Sequence, residues 1–351
     1  MKNYYDYAAS TPVSPQVLEA MKSWHSENFG NASSSHQAGR ASSLAIQKAR
    51  EIIANKIGAL PSEIIFTSGA SEANNLALKG IAFKHLGMKG HIITSKIEHK
   101  CVLNTCVFLE SIGFDITYLE PDFNGRISAE SLLRSLRSDT ILISIHHINN
   151  ELGTIQPIEE LGAIAFEHNI LFHTDAAQSF CKCNINVDDM NIDMLSLSGH
   201  KIYGPKGIGA LYVRDARNSE LVPIIHGGGQ ESGLRGGTSP TPLIVGLAAA
   251  VDNYPIEPHP MQYNFLTTID QFNFNRNGGT NVVPTIWSIT FSSDDEVKRF
   301  SDSYPWLISQ GSACNALSNV ASHVLTALGM SEEVARRTYR ISLPPYSISE
   351  K

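Results

Sequence analysis

Ile141-Leu142-Ile143-Ser144-Ile145, then Pro157-Ile158-Glu159-Glu160-Leu161-Gly162-Ala163-Ile164-Ala165-Phe166-Glu167-His168, then Ile170-Leu171-Phe172-His173: a short apolar run, a helix-like stretch and a second apolar run form one strand-helix-strand unit. A helix between two such strands returns the chain so that they lie parallel. The same alternation extends outward. Ile64-Ile65-Phe66-Thr67, His91-Ile92-Ile93-Thr94 and Ile116-Thr117-Tyr118-Leu119 precede the unit, Met194-Leu195-Ser196-Leu197 follows it, and Glu72–Leu86, His99–Ser111 and Ser128–Arg137 read as helices. The order predicts an α/β fold, a mostly parallel sheet flanked by helices on both faces. Gly209–Val213 follows a Gly-Pro-Lys-Gly turn too short for a crossover, which makes it an antiparallel addition. Residues 252–285 break the rhythm with Pro255, Pro258, Pro260 and Gly278-Gly279 and mark a domain junction. Beyond it, Thr285–Phe291 reads as a strand, Val320–Gly329 as a helix and Tyr339–Leu343 as a last strand. The expected organisation is a large domain over residues 15–251 and a smaller α+β domain built from 1–14 and 252–351.

The chain has 351 residues, 42% of them hydrophobic and 17% charged, with a net charge of −7. That composition supports a sizeable buried core. Without a basic run it gives no footing for direct nucleic-acid binding or membrane-surface attachment. No stretch approaches the roughly 20 continuous apolar residues of a membrane span, and the N-terminal residues lack a signal-peptide apolar core, so a cytoplasmic protein is expected. The cysteines, Cys101, Cys106, Cys181, Cys183 and Cys314, are five. An odd number in a chain of this size argues for free thiols in a reducing compartment rather than a disulfide framework.

In open α/β sheets, ligands bind beyond the carboxyl ends of the strands. Four such places carry polar residues. Ser68-Gly69-Ala70-Ser71-Glu72 follows the first strand and opens a helix, a natural phosphate cradle of free N–H groups and a hydroxyl, although alone it reads as an ordinary N-cap. Glu98-His99 follows the second strand, and Asp175-Ala176-Ala177-Gln178 follows Leu171–His173. The fourth place is Ser198-Gly199-His200-Lys201. A lysine just after a buried strand is costly unless it is paired or chemically converted, and imine formation converts it. Pyridoxal phosphate requires an imine lysine, an acid facing the pyridine nitrogen and an anion site. Lys201, Asp175 and the Gly69–Ser71 turn with Ser198 and His200 are the candidates, in that order.

At this point the sequence resembles the cysteine desulfurases of the NifS/IscS type, in the class V aminotransferase group. The resemblance rests on ordered motifs along nearly the whole chain. Among them are Tyr5-Asp6-Tyr7-Ala8-Ala9-Ser10-Thr11-Pro12, Phe66-Thr67-Ser68-Gly69-Ala70-Ser71-Glu72, Glu98-His99, Asn149-Asn150-Glu151-Leu152-Gly153 and Ser198-Gly199-His200-Lys201-Ile202-Tyr203-Gly204-Pro205-Lys206-Gly207. They continue through Arg235-Gly236-Gly237-Thr238 and Gly311-Ser312-Ala313-Cys314 to Arg340-Ile341-Ser342-Leu343. The resemblance implies a large domain that binds pyridoxal phosphate and a small one carrying the cysteine loop and Arg340. Lys201 would be the imine lysine, and Asp175 would keep the pyridine nitrogen protonated. His99 would stack on the ring and assist proton transfers, and Gln178 would hydrogen-bond the ring hydroxyl. Ala70, Ser71, Ser198 and His200 would hold the phosphate, with Thr238 reaching it from the other subunit of a homodimer. Asn150 and Arg340 would orient L-cysteine, the guanidinium gripping its carboxylate with two prongs. Cys314 would take the sulphur as a persulfide, leave alanine, and pass the sulphur to an acceptor protein for iron–sulphur assembly, tRNA thiolation or DNA phosphorothioation. His99 is the candidate base for the Cys314 thiol, and the flanking Gly311, Ser312 and Ala313 predict a mobile loop.

Ser71 stands where threonine is more usual in the family, residues 251–285 are shorter than in typical relatives, and Pro344-Pro345 replaces a common Gly-Arg pair. The competing readings are a selenocysteine lyase or aminotransferase of the same fold, against which the Gly-Ser-Ala-Cys context of Cys314 argues, and a catalytically silent scaffold. Cys181-Lys182-Cys183 lacks a second ligand pair at zinc-site spacing and reads as structural, so no metal is expected. His146-His147 ends a strand, so one of the two can face the site; neither receives a role.

Overall fold

The computed structural model describes residues 3–88, 90–310 and 322–348. Two helices open it, α1 (Pro15–Ser26) and α2 (Gln37–Ile57). Alternation follows: β1 (Ile64–Thr67), α3 (Ala70–Lys84), β2 (His91–Ser95), α4 (Lys100–Ser111), β3 (Asp115–Leu119), α5 (Ala129–Ser135), β4 (Thr140–Ser144), α6 (Ile158–Glu167), β5 (Leu171–Asp175), β6 (Met194–Ser198) and β7 (Gly209–Val213). These seven strands form one sheet in the order β1-β7-β6-β5-β4-β2-β3. The β3–β2–β4–β5–β6 pairs are parallel, and β7 runs antiparallel to both β6 and β1, as its short turn predicts.

β1, β2, β4, β5, β6 and β7 are buried on both faces apart from single half-buried positions in β4 and β5, which is why they read as apolar runs rather than alternating ones. One core cluster packs residues of α1, α2, α5, α6 and the segment Thr241–Asp252, the helix α7, on one face. A second packs α3 and α4 on the other.

Beyond α7 come α8 (Met261–Ile269), β8 (Phe274–Asn277), β9 (Ile286–Phe291), α9 (Asp294–Ser303), α10 (His323–Ala327), α11 (Glu332–Arg336) and β10 (Thr338–Ser342). The strands make a second, antiparallel sheet, β10-β9-β8. Its aromatic core includes Tyr5, Phe265, Phe291 and Phe300. The stretch 252–285, whose prolines and glycines suggest only a junction, contains α8 and β8. The polar Phe274-Asn275-Arg276-Asn277 gives no apolar signal because β8 is an edge strand with no fully buried position. The N-terminal segment is stitched to β10: Ser342 N–H donates to Tyr5 O at 2.8 Å, and Asp6 bridges Ser342. Among the described residues, no helix is long and apolar enough to cross a membrane.

Candidate active site

The parallel strands and β1 end at one edge of the large sheet, and the residues just past them line a cavity of about 460 Å³. At the β1 end, Gly69 takes φ 151° and leads into α3, a conformation open to glycine. Gly209 pairs with both Thr67 and Ser198. A side chain at Gly209 would collide with the Gly69 backbone at 2.7 Å, so the turn approaches β7 only because Gly209 lacks a Cβ. The first hydrogen bond inside α3 is Ala73 N–H to Gly69 O, which leaves the N–H groups of Ala70, Ser71 and Glu72 outside the helical ladder at its positive end. Ala70 and Ser71 line the cavity together with Ser198 and His200. Burial, and then the charges of Lys201, Lys206 and Lys182, push the His200 pKa down to about 4. Crowded positive charge of this kind suits an anion.

Lys201 follows β6 in a single 3-10 turn, Gly199–Lys201. Its Nζ donates to Ala8 O at 2.5 Å and Ala9 O at 2.8 Å. Asp175, the last residue of β5, is buried; its Oδ1 accepts from Ala177 N–H at 2.9 Å and its Oδ2 from Asn74 Nδ2 at 2.7 Å. Lys201 and Asp175 both line the cavity, and β5 and β6 are adjacent parallel strands. An amine, a carboxylate fixed by two donors and an anion cradle are the donor set that pyridoxal phosphate needs, so the residues fit this cofactor.

His99 caps α4: its Nδ1 accepts from Cys101 N–H at 3.2 Å and lies 3.0 Å from Cys101 Sγ. Burial, reinforced by the Lys201 charge and opposed by Asp175, lowers its pKa. Because Nδ1 is an acceptor, the neutral ring carries its proton on Nε2. Beside it, Glu98 is buried and accepts from Ser95 Oγ at 2.6 Å and from His146 Nδ1 at 2.8 Å. Gln178, Asn150 and Arg340 complete the lining. Arg340 donates to Asn150 O at 2.9 Å and to Asp6 Oδ1 at 2.7 Å.

Ten of the twelve site residues expected from sequence therefore meet in one cavity. Thr238 is exposed and does not line it in this chain, and Cys314 with its loop lies outside the described residues. The sequence reading passed over Asn74, which holds Asp175, Asp6, which pairs with Arg340, and Cys101, which lines the cavity; of the His146-His147 pair, His146 is the one that lines it. Asn74 lies one helical turn after Ser71, the spacing that places two side chains on one face.

A mostly parallel sheet with a lysine, an acid and an anion cradle at one edge defines a pyridoxal-phosphate-dependent enzyme of the α/β type. The aminotransferase class-V family matches residues 3–351. A cysteine desulfurase IscS of Dictyoglomus turgidum is 44% identical over 360 residues, covering 99% of this chain and 91% of that protein. A solved structure of SspA in complex with cysteine is 67% identical with a TM-score of 0.97, covering 99% of this chain and 100% of that one. A NifS-like protein superposes with a TM-score of 0.86 at 34% identity, over 99% of this chain and 95% of that one. The chain belongs to the aminotransferase class-V family and, within it, to the cysteine desulfurases of the IscS/NifS type.

Proposed function

We propose that this enzyme takes sulphur from free L-cysteine, releases alanine and holds the sulphur as a persulfide on Cys314 for transfer to an acceptor protein. The observation that carries the reading is the meeting of Lys201, Asp175, Asn150 and Arg340 in one cavity. Pyridoxal phosphate, when bound, supplies an aldehyde for imine formation and an electron sink that labilises bonds at the substrate α-carbon.

The chain's own residues do the rest. Lys201 holds the cofactor between turnovers and is placed to shuttle a proton at the α-carbon. Asp175, with both oxygens hydrogen-bonded, keeps a proton on the ring nitrogen. Ser71, Ser198, His200 and the α3 N-terminus, beginning at Ala70, take the phosphate, and Thr238, exposed here, serves the same phosphate in a partner subunit of a homodimer. Gln178 donates to the ring oxygen. Arg340 and Asn150 orient the substrate through its carboxylate. His99, which lines the cavity with its Nδ1 held by Cys101 N–H, stacks on the ring and assists proton transfers. The enzyme works in the cytoplasm.

The test is purification followed by cysteine addition. A yellow protein should release alanine, with sulphide in reducing buffer. Cys314→Ala should keep the colour and lose alanine release, and a colourless protein that gains no colour from added pyridoxal phosphate would refute the proposal.

A further inference from the structure

Two neighbours fix the direction in which the Gln178 amide points. Gln178 Nε2 donates to Ala8 O at 2.8 Å, and Lys182 Nζ donates to Gln178 Oε1 at 2.8 Å. A carbonyl oxygen only accepts. Turning the amide over would set Oε1 against the Ala8 oxygen, so the observed orientation is the one both neighbours support. The amide nitrogen carries two protons, of which Ala8 takes one. Because Gln178 lines the cavity, the second proton can serve an acceptor bound there. The same Ala8 carbonyl receives Lys201 Nζ at 2.5 Å, which links the lysine behind the wall to the lysine inside it through one amide and one carbonyl.

We propose that Lys182 is a positioning residue: held behind the cavity wall, it locks Gln178 so that an amide N–H faces the ring oxygen of bound pyridoxal phosphate. The proposal rests on the reading of the cavity as a cofactor site. Lys182 is only 2% exposed, and burying an ammonium is costly without a return. Burial, with the neighbouring Lys201 charge, brings its pKa down to about 7, while the Cys183 and Cys181 thiols that also face it act in the opposite direction. The contact does not depend on that charge, since a neutral amine still donates. The backbone around Lys182 is tied down as well: its N–H donates to Ser179 O at 2.9 Å and its carbonyl accepts from Ile348 N–H at 2.6 Å. The central residue of the Cys181-Lys182-Cys183 run, which suggested only a structural role, therefore contacts a cavity-lining side chain.

The experiment titrates cofactor-free protein with pyridoxal phosphate, following visible absorption, for wild type, Lys182→Met, Gln178→Leu and the double variant. Each single substitution should weaken affinity about tenfold, the loss of roughly one hydrogen bond, and the double variant should bind no worse than Gln178→Leu alone, because one residue acts through the other. Wild-type affinity in Lys182→Met, or losses that multiply in the double variant, would overturn the proposal. Should Lys182→Met not fold, Gln178→Glu gives the second readout. Its carboxylate still accepts from Lys182 but offers no N–H to the ring oxygen or to Ala8 O, so affinity should fall; unchanged affinity there also overturns the proposal. A wild-type protein that takes up no cofactor would sink the cofactor reading instead.

Discussion

Asp6 and Arg340, 334 positions apart, are joined by a 2.7 Å contact between Oδ1 and Nη2, with the Arg340 side chain 3% exposed. Asp6 also accepts from Ser309 Oγ at 2.8 Å, so the carboxylate braces the guanidinium from the N-terminal segment while Asn150 O holds its other prong. An ionised partner fixes a guanidinium more firmly than a neutral one. Asp6→Asn should therefore raise KM for cysteine about tenfold, the scale of one weakened charged hydrogen bond, with kcat little altered and the cofactor absorption band in place. Steady-state alanine release measures both.

Asn74 is the side-chain donor to Asp175 Oδ2, and Asp175 is buried. Hydrogen bonds to charged groups contribute about 1.5–3 kcal/mol. Asn74→Ala should weaken pyridoxal phosphate binding by about tenfold or more and shift its absorption maximum, because the acid facing the ring nitrogen loses a fixed orientation. Equilibrium titration of cofactor-free protein reads the change.

Cys101 lines the cavity, yet burial, followed by the Asp175 charge, pushes its thiol up to about 12, and burial does the same for Cys106 and Cys181. The thiolate is the reactive form. At pH 8, iodoacetamide should leave all three unlabelled in the native protein and label them after denaturation, as peptide mass spectrometry would record. Rapid native labelling of Cys101 would contradict this account.

His147 and His173 are buried, and burial lowers both to about 4 from an ordinary value of 6.5. Between those values the unfolded chain binds more protons than the folded one, so stability is complete above about pH 6.5 and is lost as the pH falls toward 4. Each group contributes at most about 1.4 kcal/mol per pH unit in that window. The urea midpoint should drop between pH 7 and pH 5. His173→Gln should flatten the dependence while costing stability at pH 7, since His173 spans Ser144 Oγ at 2.8 Å and Ser196 Oγ at 3.0 Å across three strands.

The large sheet was legible because its signals are local. Runs such as Ile141–Ile145 are apolar along their whole length only when both faces are covered, and the short turn before Gly209 leaves β7 no route but antiparallel. The cofactor residues were legible for a related reason: a polar residue immediately after a buried strand has few places to go except the ligand edge. β8 was not legible, because an edge strand with neither face fully buried carries a polar sequence. The partners of the site residues were equally hidden.

Residue type and order by themselves determined the α/β alternation, the lysine, the acid and the small-residue turn at the strand ends, since backbone sterics and burial act over a few positions. Only the tertiary structure decided that Asn74 would hold Asp175, that Asp6 would brace Arg340 and that Lys182 would reach Gln178 from behind the cavity wall. Those contacts depend on which elements pack together, and a hydrogen bond of 2.7 or 2.8 Å between distant segments leaves no mark on the local sequence around either partner.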